Sequence, residues 1–465
     1  MNITTNKSFY TLLAILFLLP IPLGANRPWA WSFFEICIFA LTFIVVLKHR
    51  RIYALGTNSY FKAICIWLGF IAFASLQIIP FPSSLVAMLS PSSYLAFADV
   101  NASSFYLSVD PGQSMISFIK LLSYFCLFIC VLVLVNTEKR IRLLLLTMLA
   151  SGTFQALYGS FEILLGATNS AVFGLPVGEV ATGSFVYKNH YANFLMLCLA
   201  AGIGLLVTSL EKGKMSTPKD FMRSIATTLL GSKAIVRICI AVMVIGLVMS
   251  RSRMGNTAFF VSMAVVGLLA LVLIKNRSRG LSVLIISMFI IDLFIVSAYF
   301  GLERVKERLA QTSVQQETRD EVLSDAFPML VDFPLFGSGA GSFYSTFPSY
   351  QVTEVGDFYD HLHNDYLQFA IEYGVIGFFI LLVLVGFCMY KSIRALYKRK
   401  NSIFKGAGFA CLMAIIGMGL HATVDFPLQA YANSAYFVVF LALSMIINSL
   451  KIHIPRKSAS KPATE

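Results

Sequence analysis

The sequence predicts an all-α polytopic membrane protein with about twelve transmembrane helices, on three observations. The 465-residue chain is 57% hydrophobic and only 13% charged, and its mean hydropathy is +0.77. Apolar runs of about 17–25 residues recur along it, the length that crosses about 30 Å of hydrocarbon as a helix. Clusters of Lys and Arg fall at every second turn between these runs, as expected for loops retained on the cytoplasmic side.

The apolar runs give the predicted spans in chain order. The first run is followed at once by a second, so we expect it to be a span and not a cleaved signal peptide. The twelve spans are residues 9–26, 29–47, 62–80, 115–136, 143–165, 190–209, 234–250, 257–274, 281–301, 364–390, 404–425 and 430–449.

The basic clusters predict the orientation of the chain. They place both termini in the cytoplasm, with the alternate turns facing outward. The net charge of +13 is concentrated in these turns, so we expect membrane lipids and no nucleic acid as partners. The clusters are Lys48 to Arg51, Lys139 to Arg142, Lys212 to Lys233, Lys275 to Arg279, Lys391 to Lys405 and Lys451 to Lys461.

We expect one membrane domain in four parts. Residues 1–301 carry spans one to nine, 302–363 form a large outward loop, 364–450 carry the last three spans and 451–465 are a cytoplasmic tail. Within the large loop, Glu317 to Leu330 has a helix-like polar sequence, and residues 337–343 form a glycine-rich run that permits tight turns. The loop could fold over a cavity as a lid, or be a plain extracellular loop.

Two of the six histidines, His361 and His363, lie within three residues at the start of span ten. Histidine can take a proton near neutral pH because its ordinary pKa is about 6.5. We therefore predict that His363 is a general base for a reaction on the outer side. The neighbouring Asn364 and Asp365 could orient an imidazole or a substrate hydroxyl.

Further polar groups lie at the outward ends of other spans. His190 opens span six, and His421 and Asp425 are four residues apart at the end of span eleven, so they share a helix face. Asp425 could hold a histidine tautomer, or cap the helix end before Pro427. Asp292 in span nine is an expensive burial that could be functional or locally paired.

Arg251 and Arg253 in the turn after span seven, and Arg319 in the large loop, run against the cytoplasmic bias of basic residues. Guanidinium groups bind phosphate oxygens through two parallel hydrogen bonds, which indicates a phosphate or diphosphate ligand. The alternative is anchoring to lipid headgroups. That alternative is favoured for three residues spread along one amphipathic stretch, Arg304, Lys306 and Arg308.

We expect no cofactor, metal or disulfide. All eight cysteines fall inside apolar runs, and none has the spacing of a zinc site. The outward segments contain no D-x-D pair of the kind that recruits a metal in many nucleotide-sugar transferases.

His-Asn-Asp-Tyr-Leu-Gln at 363–368, followed by Glu372, Gly374 and Gly377, resembles the signature of the O-antigen ligase and O-antigen polymerase superfamily of bacterial envelope glycosyltransferases. The similarity runs in order from about Leu76 to Asn433. Weaker supporting pieces are Leu76 to Pro80, Asn189-His190, Ser252-Arg253 with Gly255, Arg319 followed by 332–337, and Val424 to Pro427.

This resemblance implies an inner-membrane enzyme with a C-type glycosyltransferase architecture and a periplasmic active site. Such enzymes move a glycan from undecaprenyl diphosphate to an acceptor hydroxyl, with inversion and without a metal. The family's arginine positions map onto Arg253 and Arg319, and its catalytic histidine maps onto His363. The ligase pattern often has two adjacent histidines, whereas here Leu362 separates His361 from His363.

The sequence leaves the acceptor open. Ligation to lipid A–core is favoured, and polymerisation of repeat units or transfer to a protein would use the same donor site. A transporter or flippase for the same lipid is the rival from another class, although the two halves of the chain show no internal repeat.

Overall fold

The computed structural model describes residues 3–49, 60–209, 232–274, 321–352 and 359–450. These ranges form helices and no strands, and two isolated β-bridges join loop residues. The α-helices of seven residues or more are α1 (Ile3–Leu18), α2 (Pro28–Lys48), α3 (Phe61–Leu76), α4 (Ser83–Leu89), α5 (Pro91–Asp99), α6 (Pro111–Leu134), α7 (Glu138–Leu164), α8 (Lys188–Ser209), α9 (Ser232–Met249), α10 (Arg253–Leu273), α11 (321–332), α12 (Asp365–Lys398), α13 (Ser402–His421) and α14 (Tyr431–Ser449).

Eleven of the twelve predicted spans coincide with helices. Within the described residues, eight helices are long and apolar enough to cross a membrane, and α1, α3 and α9 contain shorter apolar helices. The ninth predicted span, 281–301, and Asp292 within it lie outside the described residues. The chain is thus an all-helical polytopic membrane protein, and the count of twelve stays a prediction.

Several helices begin where the sequence supplies a capping side chain. Asp110 accepts a hydrogen bond from the N–H of Gln113 at the start of α6, at 3.0 Å. Thr137 caps α7 and Asn401 caps α13 in the same way. These side chains pair N–H groups that have no partner within the first helical turn.

Helix α8 lies at the centre of the bundle and is buried along its length. It packs against α7, α9, α10, α13 and α14. Its tightest contact is with α13, where a Cβ on Gly204 would lie 2.6 Å from the carbonyl oxygen of Gly406. Small residues at such a contact let two helix backbones approach closely.

The outer helices have the opposite pattern, with large apolar side chains on their exposed faces. This is the pattern expected where a helix faces lipid, since hydrocarbon solvates apolar side chains. Examples on α2 and α12 are Phe33, Ile36, Phe43, Leu47, Val375 and Phe379.

Helix α12 is broken at Gly374, whose φ is +62°. Residues 334–341 pack into the break, and the N–H of Val375 donates to the carbonyl of Pro334 at 2.8 Å. Glycine is required on both sides, because a Cβ on Gly337 or on Gly374 would lie 2.3 Å from backbone atoms of the other segment. The glycine run of the predicted outward loop is therefore docked against a membrane helix.

The Gln77 side chain at the end of α3 holds this junction together. Its Nε2 donates to the carbonyls of Phe336 and Glu372, at 2.7 and 2.8 Å, and its Oε1 accepts from the N–H of Ala340 at 3.0 Å. Gln77 has no exposed surface. One amide thus pairs three backbone groups that the helix break and the docked segment leave open.

A small second core lies beside the broken helix. It is built on α11, which confirms the helix predicted within 317–330 over its described part. Leu362, the residue between the two histidines, is buried in it and is 1% exposed. Its members are Val322, Ala326, Met329, Phe343, Phe347, Leu362 and Ile371.

Candidate functional site

Most of the side chains predicted to carry chemistry gather at one end of the bundle. Helices α8 and α12 begin at this end and α13 finishes there. The residues found together are His190, His361, His363, His421 and Asp425, with Phe426, which the sequence analysis did not select, among them.

Phe426 is the contact shared by three of the histidines. Its ring centroid lies 4.6 Å from the rings of both His361 and His363, and 4.9 Å from that of His190. Its other neighbour is Tyr187, which stacks on it at 5.5 Å. A rigid apolar ring at this place fixes the relative positions of the imidazoles. The only sequence signal for it was its place in the Val424 to Pro427 motif.

His363 and Asp425 form the closest pair of ionisable groups in the site. The Nδ1 atom of His363 lies 3.4 Å from Oδ1 of Asp425, with 20% of the histidine side chain and 2% of the aspartate side chain exposed. This exceeds an ordinary hydrogen-bond length of about 2.9 Å, and such contacts often tighten when substrate binds. Since Nδ1 faces a carboxylate, the favoured neutral tautomer carries its proton there and leaves the Nε2 lone pair free.

The backbone of His363 lies in the left-handed region, with φ at +56°. Residues other than glycine rarely adopt this conformation, and those that do concentrate at functional sites. Its neighbours hold it there. Leu362 is anchored in the second core, and the Asn364 side chain caps α12 by accepting from the N–H of Leu367 at 3.1 Å.

The Asp425 carboxylate has several hydrogen-bond donors. The N–H of Phe426 donates to Oδ1 at 2.9 Å, the Tyr187 hydroxyl donates to Oδ2 at 3.5 Å, and the Asn189 amide also donates to Oδ2. Burial acts to raise the pKa of Asp425, but the contact with Nδ1 of His363 and the nearby imidazoles outweigh it, and the pKa is lowered. The carboxylate is therefore ionised at neutral pH.

Asp425 also faces a second histidine. The Nε2 atom of His421 lies 3.9 Å from Oδ2 of Asp425, and its Nδ1 atom lies 3.1 Å from the Asn193 amide nitrogen of α8. Of the two roles left open for Asp425, contact with histidines is the one that its position fits.

Asp365 is 1% exposed and contacts the segment that follows α13. Its N–H donates to the carbonyl of Ala422 at 3.0 Å, and its carboxylate accepts from the N–H of Leu428 at 2.9 Å and the amide of Gln429 at 3.4 Å. These contacts of Asp365 tie the segment that carries Asp425 to the start of α12.

The exposed side chains of Arg251 and Arg253 lie where α9 turns into α10. Ser252 caps the start of α10, because its hydroxyl accepts a hydrogen bond from the N–H of Gly255 at 3.2 Å. Gly255 also lies so close to α8 that a Cβ there would be 2.6 Å from the Ala192 methyl. The first turn of α10 is therefore seated beside the helix that carries His190.

Arg319 lies outside the described residues, and so do the three residues considered as headgroup anchors, Arg304, Lys306 and Arg308. The predicted partnership of Arg253 and Arg319 thus stays a prediction. Within the described ranges, no group of three or more His, Cys, Asp or Glu side chains is arranged to hold a metal ion.

A cavity of about 560 Å³ lies within the bundle, next to the histidine cluster. Its walls come from α3, α6, α12, α13 and α14 and are mostly apolar, with Trp67, Phe369 and Leu441 among them. Asp365 and Gln429 line it too, and these residues tie the Asp425 segment in place. The wall of the cavity thus includes residues that contact the segment carrying Asp425.

Residues 238–382 match a family model described as O-antigen ligase. This range contains both arginines of the α9–α10 turn, Arg319, both histidines of the loop and the start of α12. The match confirms the resemblance to the O-antigen ligase superfamily that the 363–377 motif indicated. No curated protein matches the chain.

Proposed function

Since residues 238–382 match the O-antigen ligase model, we propose that the protein is a glycosyltransferase that moves a glycan from undecaprenyl diphosphate to an acceptor hydroxyl. The reaction inverts the anomeric carbon and uses no metal. It takes place at the periplasmic face of the bacterial inner membrane, with both chain termini in the cytoplasm. Twelve spans in a C-type architecture, with residues 302–363 as a lid, complete the proposal.

The contact between His363 and Asp425 is the observation that carries this proposal. As the acceptor oxygen attacks the anomeric carbon, its proton passes to Nε2 of His363. The new carbon–oxygen bond forms while the bond from that carbon to the diphosphate oxygen breaks. Asp425 holds Nδ1–H toward itself and stabilises the imidazolium that forms, which is the usual part of a carboxylate behind a catalytic histidine.

The departing diphosphate gains negative charge during this step. Arg253 and Arg319 bind it, since guanidinium groups pair with phosphate oxygens and stay protonated. Arg253 begins α10 beside α8, which supports a place for the donor near the histidine cluster.

The apolar cavity supports a substrate with a hydrocarbon chain. Its mostly apolar walls suit such a chain. Asp365, a polar residue of the lining, is hydrogen-bonded to the segment that holds Asp425. Ligation to lipid A–core is the acceptor reaction we favour. Polymerisation of glycan units and transfer to a protein hydroxyl are the alternatives.

The test is transfer by the purified protein in detergent, with an undecaprenyl-diphosphate-linked glycan and lipid A–core as substrates. We expect a glycosylated acceptor and free undecaprenyl diphosphate in equal amounts, at a rate that EDTA leaves unchanged. Detergent abolishes compartments, so a flippase would give no product. Product formed only with a glycan or protein acceptor would reassign the acceptor, and a complete lack of transfer with all three acceptors would refute the enzyme proposal.

A further inference from the structure

The amide of Gln368, one helical turn into α12, contacts both flanks of the histidine loop. Its Oε1 accepts from the N–H of Leu362 at 3.1 Å. Its Nε2 lies 3.1 Å from Nδ1 of His361 and donates to Oε1 of Glu372 at 2.9 Å. Gln368 is 1% exposed, so water does not compete for these contacts.

These contacts determine which end of the amide faces His361. A backbone N–H can only donate, so the group that faces Leu362 has to be the amide oxygen. The amide nitrogen then faces His361, and because that nitrogen can only donate, Nδ1 of His361 has to be an acceptor. A neutral imidazole whose Nδ1 accepts carries its proton on Nε2.

The surroundings of His361 favour the neutral ring. Burial lowers the pKa of His361 to about 3, aided by His190 of α8, His363 of its own loop and Lys120 of α6, against the bond from Gln368. Glu372, on the far side of Gln368, is separated from the imidazole by the amide. His361 thus stays neutral at the pH where an envelope enzyme works.

The two histidines of the loop therefore differ in chemistry. His363 has Nδ1 toward a carboxylate and a free lone pair on Nε2, whereas His361 has Nδ1 toward an amide and its proton on Nε2. The His361 side chain is partly exposed, and no described residue is hydrogen-bonded to its Nε2 atom. Its ring lies on Phe426, as the ring of His363 does.

We propose that His361 is a neutral hydrogen-bond donor that binds a substrate oxygen through Nε2–H, and that Gln368 is the positioning residue that sets its tautomer. This rests on the proposed function, because the bound oxygen belongs to the glycan or to the acceptor beside His363. A neutral donor suits this place, because it holds a hydroxyl oxygen of the glycan or of the acceptor in position without taking the proton that His363 has to accept.

Two substitutions of His361 separate the possible roles. His361→Gln keeps a donor, and we expect kcat within about tenfold of wild type. His361→Phe keeps only the ring contact with Phe426, and we expect kcat to fall about 10²-fold, the order of loss when a substrate is misplaced by about 1 Å. Wild-type activity in His361→Phe would mean that the residue only packs. Complete loss in His361→Gln would make His361 the base instead.

A charge-conserving exchange tests Gln368. In the double variant Gln368→Glu with Glu372→Gln, residue 368 still accepts from Leu362 and remains hydrogen-bonded to residue 372, but a carboxylate now faces Nδ1 of His361. We expect the proton to move to Nδ1 and kcat to fall at least tenfold, with Glu372→Gln alone as the matched control. An exchange variant as active as this control would remove Gln368 from the proposal.

Nitrogen NMR of ¹⁵N-histidine-labelled protein in nanodiscs reads the tautomer without any transfer reaction. We expect a neutral Nε2–H signal, absent from His361→Gln, and its Nδ1–H counterpart in the exchange variant. A proton on Nδ1 in the wild type would overturn the proposal. This signal exists whether or not glycan is transferred. The experiment therefore distinguishes a wrong assignment of the His361 tautomer from a wrong assignment of the transferase activity.

Discussion

Replacing Asp425 by Asn tests the pair on which the proposed mechanism depends. The change keeps the shape of the side chain and removes its charge. In the transition state His363 becomes an imidazolium whose Nδ1 lies 3.4 Å from Oδ1 of Asp425. At an effective dielectric constant of about 20, two unit charges at this distance attract by about 5 kcal/mol.

The loss is smaller than this full attraction, because the carboxylate is shared with Tyr187, Asn189 and the N–H of Phe426. If between half and nearly all of it is lost, the barrier rises by about 2.5–5 kcal/mol and kcat falls roughly a hundredfold to a few thousandfold.

The assay is steady-state transfer by the purified variant, with kcat and KM measured from pH 5 to 9. Tyr187→Phe is the control: it removes one hydroxyl from the same carboxylate, a contact of 3.5 Å, and should cost less than about tenfold. The mechanism is refuted if Asp425→Asn stays within about twofold of wild type. It is refuted equally if the two variants lose the same activity, or if only KM changes.

Four further predictions follow from the same site and its supports. His363→Ala should lose about 10²–10⁴-fold in kcat while still binding the lipid diphosphate, and His363→Asn should lose as much kcat as His363→Ala. If His363→Ala lost donor binding as completely as it lost kcat, His363 would be a diphosphate ligand. Arg253→Lys and Arg319→Ala should each lose most transfer activity with normal membrane insertion, because removing the guanidinium removes its paired hydrogen bonds to phosphate. Near-normal transfer by either variant would mean that the arginine is only a headgroup anchor. A cysteine at Glu179, exposed in the α7–α8 loop, should react with an impermeant thiol reagent in spheroplasts, and one at Ser402 should not; the reverse result would invert the orientation. Gly374→Ala should destabilise the protein in thermal unfolding by about 1–3 kcal/mol from its positive φ alone, and the added Cβ would also clash with the Leu335 carbonyl at 2.3 Å. Gly386→Ala on the same helix meets open space and should be neutral. Equal effects of the two substitutions would mean that the break can relax.

The helices could be predicted from the sequence because a membrane helix satisfies its backbone locally. A span needs only an apolar run of the right length, so eleven predicted spans fall on helices in the described ranges. The positive φ of Gly374 was not predictable from its own neighbourhood. The backbone groups left open at the break are hydrogen-bonded by residues 334–341 and by Gln77, which lies 295 positions before its partner Glu372.

The candidate site shows the same division between local and distant information. His363 and Asp425 were each selected for their chemistry, but their contact joins residues 62 positions apart and had no local signal. Phe426 was overlooked because an aromatic residue in an apolar chain carries no distinguishing pattern. Its importance comes only from the three imidazoles that two separate segments, the start of α8 and the loop before α12, bring to it.

The separation of His361 from His363 by one residue also has a structural consequence. A histidine at position 362, directly before His363, would place its imidazole in the second core. Here Leu362 takes that place, with 1% of its surface exposed, and both imidazoles remain on Phe426. Replacing Leu362 by a polar residue should therefore disturb both histidines at once, because it lies between them and anchors their loop in the second core.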